Sequence, residues 1–135
     1  MARYYASIDH VKLLDRLAVV IPERDVLNLV GQMCGRVAEG GGFYHEFRRG
    51  IPLGCPLSPL LGAFFLAELD ARLEATGLFF VRYMDDVIVL APTRHKLRRA
   101  VRVVNATFDT LGLACGVPLV FVQVRPLIAR DTPSG

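Results

Sequence analysis

A chain of 135 residues has room for one domain with a real core, not for two. A hydrophobic share of 53% against a charged share of 21% excludes disorder over most of its length. Lys and Arg total 16 and Asp and Glu total 13, a net charge of +3, which accommodates nucleic acid without requiring it.

Helical periodicity begins near Asp9 and runs to Val19. Leu13, Leu14 and Leu17 share one face, with Lys12, Asp15 and Arg16 opposite. A second helix starts near Pro22, with Glu23 and Asp25 in the first turn, where the helix dipole favours negative charge. Its apolar set is Val26, Leu27, Val30 and Met33. Gly40-Gly41-Gly42 marks a turn, Phe43 to Arg49 alternates as a strand, and Gly50-Ile51-Pro52 ends it. Ser58 is placed to cap a third helix with Pro59 at its first position. Leu61, Phe65, Leu69 and Leu73 then recur on one face, and Gly77 closes the helix in left-handed geometry. Phe79 to Met84 and Val87 to Leu90 are β-prone runs flanking Asp85-Asp86, a tight hairpin with two carboxylates exposed at its tip. Thr93 caps a last helix whose buried stripe is Leu97, Val101, Val104, Phe108 and Leu111.

This order predicts an α+β fold, a small antiparallel sheet with helices packed on one face. One domain covers residues 1–113. Residues 114–135 form an atypical tail, apolar, interrupted by Pro and without clear period. A frameshifted or poorly ordered segment and a real strand over Leu119 to Val124 are both open readings of it.

Cys34, Cys55 and Cys115 are far apart and form no CxxC pair. That argues against a zinc site or a disulfide framework and for a reducing, cytoplasmic setting. MARYYASIDH lacks the apolar core of a signal peptide. No apolar run reaches the roughly 18 residues of a membrane span, since Glu68 and Asp70 interrupt the longest candidate. His10, His45 and His95 have no ligand spacing and are expected as ordinary polar surface residues. Arg94, His95, Lys96, Arg98, Arg99 and Arg102 make one side of the last helix basic. That side is either a solvated face or a contact for nucleic acid, whose phosphates dominate affinity.

The densest chemical signal is Tyr83-Met84-Asp85-Asp86 inside FFVRYMDDVIVL. Adjacent carboxylates repel, so a hairpin tip that carries two of them is costly unless a cation offsets them. Hard divalent ions held by such oxygens serve in-line phosphoryl transfer. A solvated Asp-rich turn is the plainer alternative, and the aromatic and β-branched flanks weigh against it.

Here the chain resembles the reverse-transcriptase family, whose third core motif is YxDD in this setting. The resemblance is to the bacterial branch, with group II intron proteins and retron enzymes. A second match is Gly50-Ile51-Pro52-Leu53-Gly54-Cys55-Pro56-Leu57-Ser58-Pro59, similar to the family's GIPQGSPLSP. Physically it is a turn entering a helix, where glycines permit close backbone approach and a helix N-terminus favours phosphate. Leu53 stands where Gln is usual and Cys55 where Ser is common. The first core motif, aligned on YYASIDH, places Tyr5 at the aromatic gate that screens the ribose 2′-OH. The family's metal-binding Asp would then fall one residue before Met1. Asp9 lies too far along to replace it and is expected to cap the helix that follows. After Leu113, relatives continue into a polar turn and a Lys-bearing strand similar to PDKTFIGR, which this tail does not match.

The resemblance covers about residues 3–113 and implies a palm fragment of an RNA-directed DNA polymerase, a nucleotidyltransferase using Mg²⁺ or Mn²⁺. Asp85 and Asp86 would be catalytic and hold metal. Tyr5, Tyr83, Gly50, Pro52, Gly54 and Ser58 would lie along nucleotide and primer. RNA template, DNA primer and dNTP are the implied partners, with no membrane. Because a two-ion site normally takes a third carboxylate, the chain alone is expected to be inactive. A non-catalytic nucleic-acid-binding remnant and a small interaction domain with an accidental Asp-Asp turn are the competing readings.

Overall fold

The computed structural model describes residues 2–35, 37–40, 43–46, 48–113 and 119–123. It begins with a short helix α1 (Ala2–Ser7), followed by α2 (His10–Val20) and α3 (Arg24–Cys34). A two-stranded hairpin, β1 (Val37–Gly40) and β2 (Phe43–Glu46), precedes helices α4 (Ser58–Phe65) and α5 (Ala67–Glu74). The second hairpin, β3 (Phe79–Tyr83) and β4 (Asp86–Ala91), leads into the long helix α6 (Arg94–Leu111) and strand β5 (Leu119–Gln123).

The expected α+β architecture is present, with helices on one face of a small sheet. β3 and β4 are antiparallel, with Tyr83 opposite Asp86 and Phe79 opposite Leu90. β5 joins the free edge of β4 in parallel, from Val87 opposite Leu119 to Ala91 opposite Gln123. The sheet is therefore mixed, because α6 crosses over between β4 and β5 as parallel pairing requires. Residues 119–123 of the tail are thus a strand, while Val124 and the tail's other residues lie outside the described residues, as do Gly41, Gly42 and Cys115.

Strand alternation separates two faces. Val87, Val89 and Ala91 of β4 are buried, and they point toward the helix layer whose core includes Leu69, Leu73, Ala100, Val104, Phe108 and Leu111. Phe79, Val81, Tyr83 and Ile88 are exposed on the other face, where Asp86 also lies by its register with Tyr83.

Several local expectations need correction. Helix α1 has no apolar period to announce it, and tertiary bonds hold it. The Tyr4 hydroxyl donates to the Gly62 carbonyl at 2.6 Å, and the Ile51 N–H donates to the Tyr5 carbonyl at 3.0 Å. The expected single helix from Ser58 to Gly77 is broken at Leu66 (φ −91°, ψ 2°). Neighbours on a continuous helix point about 100° apart, and the break lets Phe65 and Leu66 both be fully buried. Ser58 is the first helical residue, and its hydroxyl gives no cap. It is buried and donates to the Pro52 carbonyl at 2.5 Å. The strand expected over Phe43 to Arg49 is seen over Phe43–Glu46, with Phe47 outside the described residues, and it pairs with an unforeseen partner, β1. On α6 the inward stripe is Ala100, Val104, Thr107, Phe108 and Leu111, with Leu97 and Val101 half-buried. Thr93 caps α6 as expected, accepting from the Lys96 N–H at 3.3 Å.

Candidate functional site

The β3–β4 connection has two central residues, Met84 and Asp85. Two-residue hairpin loops need a turn whose twist matches the strands, which demands positive φ at the first central position. Met84 supplies it at φ 55°, as the one non-glycine residue with positive φ among the described residues. The turn divides the carboxylates. Asp86 opens β4 on the exposed face beside Tyr83, itself 70% exposed. Asp85 is only 4% exposed, against the expectation that both lie open at the tip.

Asp85 lies within electrostatic reach of the aromatic pair of α1. Burial pushes the Tyr5 hydroxyl above its ordinary pKa, and the negative charge of Asp85 adds to the shift. Tyr4 is raised further, first by burial, with Arg82 opposing and Tyr5 and Asp85 reinforcing. The two rings stand 5.7 Å apart. Tyr5 is 4% exposed, and its ring lies so close to α4 that a Cβ on Gly62 would come 2.8 Å from Cε1.

Arg82 fixes the turn from behind. Its guanidinium donates to both carboxylate oxygens of Asp70 on α5, at 2.7 and 2.5 Å. A third N–H donates to the Met84 carbonyl at 2.7 Å, inside the turn itself. Such forked charge-assisted bonding combines strength with fixed geometry, and the hydrogen bonds to Asp70 raise the Arg82 pKa.

The segment from Gly50 to Ser58 is stitched to α1 and α2. Gly50 donates to the Ile8 carbonyl at 2.8 Å. Its φ of 94° and a Cβ position 3.3 Å from the Ala6 Cα leave glycine alone suited to the place. The His10 ring lies 2.6 Å from the Gly50 carbonyl, so His10 is half-buried and holds this loop rather than standing as a surface residue. Gly54 also has positive φ, 80°, with open space around it. Pro52 is half-buried, Leu53 is 61% exposed, and the Cys55 thiol sits 3.5 Å from the Met33 sulfur.

The structure thus brings Tyr5 and the start of the Gly50–Ser58 segment together, with Asp85 electrostatically coupled to Tyr5. Asp86 and Tyr83 lie on the open sheet face. Asp9 serves as the expected helix cap, accepting from the Lys12 N–H at 3.1 Å, and it also pairs with Arg49 at 3.7 Å. Among the described residues, no group of three or more His, Cys, Asp or Glu side chains is arranged to hold a metal ion. Sequence reasoning missed Arg82, Asp70, Tyr4 and His10. A charged residue at a strand position whose neighbours face a core was the available signal for Arg82. Nothing in the sequence marked Asp70 as its partner.

The hairpin and the glycine-rich segment fall within one continuous match. A family model described as reverse transcriptase (RNA-dependent DNA polymerase) covers residues 1–115. The chain belongs to the reverse transcriptase family. No curated protein matches it. Full-length reverse transcriptases bind a nucleic-acid template and primer and use a divalent metal, which agrees with the carboxylate-bearing hairpin. Among the described residues, no helix of this family member is long and apolar enough to cross a membrane.

Proposed function

We propose that the chain is the motif-bearing part of a palm from a bacterial reverse transcriptase of the group II intron or retron kind. Asp85 and Asp86 are the carboxylates that would ligate metal once the site is complete, and the chain does not extend a primer by itself. The observation that carries this reading is the two-residue turn that sets Asp86 beside Tyr83 on an open sheet face while Arg82 locks the turn from behind. Asp85 is buried within electrostatic reach of Tyr5 on α1, whose carbonyl binds the Gly50–Ser58 segment.

The donor chemistry suits Mg²⁺ or Mn²⁺, since both ligands are hard oxygens. The donor number suits one ion held loosely rather than two, because the described residues supply no third ligating side chain. A bound divalent ion would polarise a phosphoryl oxygen. The chain's own residues do the remainder. Asp86 presents a carboxylate toward the open face, Tyr83 offers an exposed ring against which a primer end packs, and the positive φ of Gly54 keeps the loop backbone approachable. Tyr5 is buried here, so its gate role requires the ring to border the nucleotide once the site is complete. Among the described residues, nothing supports in-line transfer between two ions.

Primer extension on an RNA template tests the reading. Three forms are compared with ample Mg²⁺: the chain, its Asp85→Ala variant, and the chain preceded by a first-motif segment bearing an Asp. Extension by the third form alone is expected. Extension by the unmodified chain, lost in Asp85→Ala, would overturn the proposed inactivity.

A further inference from the structure

The helix layer carries a second concave surface, on the side of the molecule away from Asp86. A groove of about 440 Å³ runs between α5 and α6, with Arg72, Thr76, Arg99 and Arg102 around Val103 and Ala106. Arg102 also borders an adjoining hollow of about 470 Å³ with His95, Arg98 and Val101. Among the described residues, no acidic side chain lines either. The helices cover the Val87 and Val89 face of β4, and Asp86 and Tyr83 lie on the other. A ligand in this groove therefore leaves the hairpin face free.

The charge arrangement does not serve the fold. Positions 95, 98, 99 and 102 follow the i, i+3, i+4, i+7 spacing of one helix face. Like charges at such spacing destabilise a helix. Arg94, His95 and Lys96 also place basic groups in the first turn of α6, against the helix dipole. Arg98, Arg99 and Arg102 form no ion pair among the described residues. Arg72 is the exception, bound to Glu68.

We propose that this groove binds the phosphodiester backbone of a nucleic-acid strand without regard to sequence, as a contact separate from the hairpin face. Polyanion charge offsets the repulsion among the arginines, and guanidinium forks match phosphate oxygens. From residue 95 to residue 102 the stripe extends about 10 Å at 1.5 Å per residue. In axial rise that length matches about three nucleotides of one strand, at about 3.4 Å each in duplex geometry, and two hollows that share Arg102 suit a polymer better than a single anion. Val101, Val103 and Ala106 in the lining offer no side-chain donor or acceptor for base edges, and the arginines are taken up by phosphate, so the contact positions a strand and does not select one. The groove's charge and shape carry this assignment independently of the hairpin's proposed activity.

Fluorescence anisotropy of a labelled single-stranded RNA, and of DNA of the same sequence, tests this across a salt series with the full chain. The double variant Arg99→Gln/Arg102→Gln alters exposed side chains, and circular dichroism checks that it folds. Its affinity should fall about ten-fold for both nucleic acids, and its log–log salt slope should be shallower by about 1.4, or about 0.7 for each lost phosphate contact. Arg99→Lys/Arg102→Lys should retain most of the affinity. Arg24→Gln on α3 should stay within about two-fold of the parent, unlike Arg102→Gln. Unchanged affinity and slope in the folded double variant would overturn the proposal. So would an equal loss in Arg24→Gln, which would mean undirected charge, or complete displacement of RNA by millimolar inorganic phosphate, which would mean a single-anion site.

Discussion

Replacing Arg82 with Met removes the guanidinium and keeps a long apolar stem, which isolates the contribution of its polar contacts. Arg82 is 12% exposed in its side chain and Asp70 31%. Breaking a buried ion pair costs about 3–5 kcal/mol, and the partial exposure of Asp70 lets water recover some of that, leaving about 2 kcal/mol. The Met84 carbonyl also loses its donor, adding about 1 kcal/mol. A loss of about 3 kcal/mol is therefore expected in urea denaturation, or roughly 12 °C in Tm at about 4 °C per kcal/mol. Asp70→Asn should lose about half as much, because the amide oxygen still accepts one bond. Hydrogen exchange at the Asp85 and Asp86 amides should accelerate in Arg82→Met beyond what global unfolding explains. A variant within about 0.5 kcal/mol of the parent would refute the latch. Lost stability with unchanged local exchange would mean that Arg82 ties α5 to the sheet without bracing the turn.

Gly62→Ala should destabilise the chain by about 1–3 kcal/mol despite the helix preference for Ala, because the new Cβ meets the Tyr5 ring at 2.8 Å; chemical denaturation measures it. Gly50→Ala forces a Cβ into positive φ and toward the Ala6 backbone, so a loss of about 2 kcal/mol is expected in the same assay. Glu68 gives a pH signature. The hydrogen bond from Arg16, helped by Arg72, holds its carboxyl below the ordinary 4.5. A depressed folded pKa contributes stability that is full above about pH 4.5 and fades as pH falls through the folded value. Glu68→Gln should thus cost roughly 1 kcal/mol at neutral pH and show a shallower acid decline in denaturation midpoints; parallel pH curves for the two proteins would contradict this.

Much of the fold was legible because apolar spacing dictates it. Leu13 and Leu17 on α2 and Val104, Phe108 and Leu111 on α6 are buried where period 3.6 put them. The hairpin was legible for the same reason at period 2. The break at Leu66 was not, because Leu61, Phe65, Leu69 and Leu73 keep unbroken i+4 spacing across it. Helix α1 was invisible because six residues lack a period, and long-range bonds to Gly62 and Ile51 hold it. At the site, motif residues were visible as letters, but the side to which each carboxylate points was not. That depends on the turn: Met84 takes positive φ, Asp86 enters the sheet register, and Asp85 is buried within electrostatic reach of Tyr4 and Tyr5. The Arg82–Asp70 latch joins residues twelve apart, a distance that no local pattern reports.

The most direct test of the central claim is Mn²⁺-induced line broadening in the amide NMR spectrum of the full chain. The hairpin's carboxylates, if they are the metal-facing groups, should give broadening at low Mn²⁺ centred on residues 84–87, reversed by excess Mg²⁺ and lost in Asp86→Asn. Broadening centred elsewhere on the chain, or unchanged at residues 84–87 in Asp86→Asn, would contradict the assignment of the hairpin as the metal-bearing element.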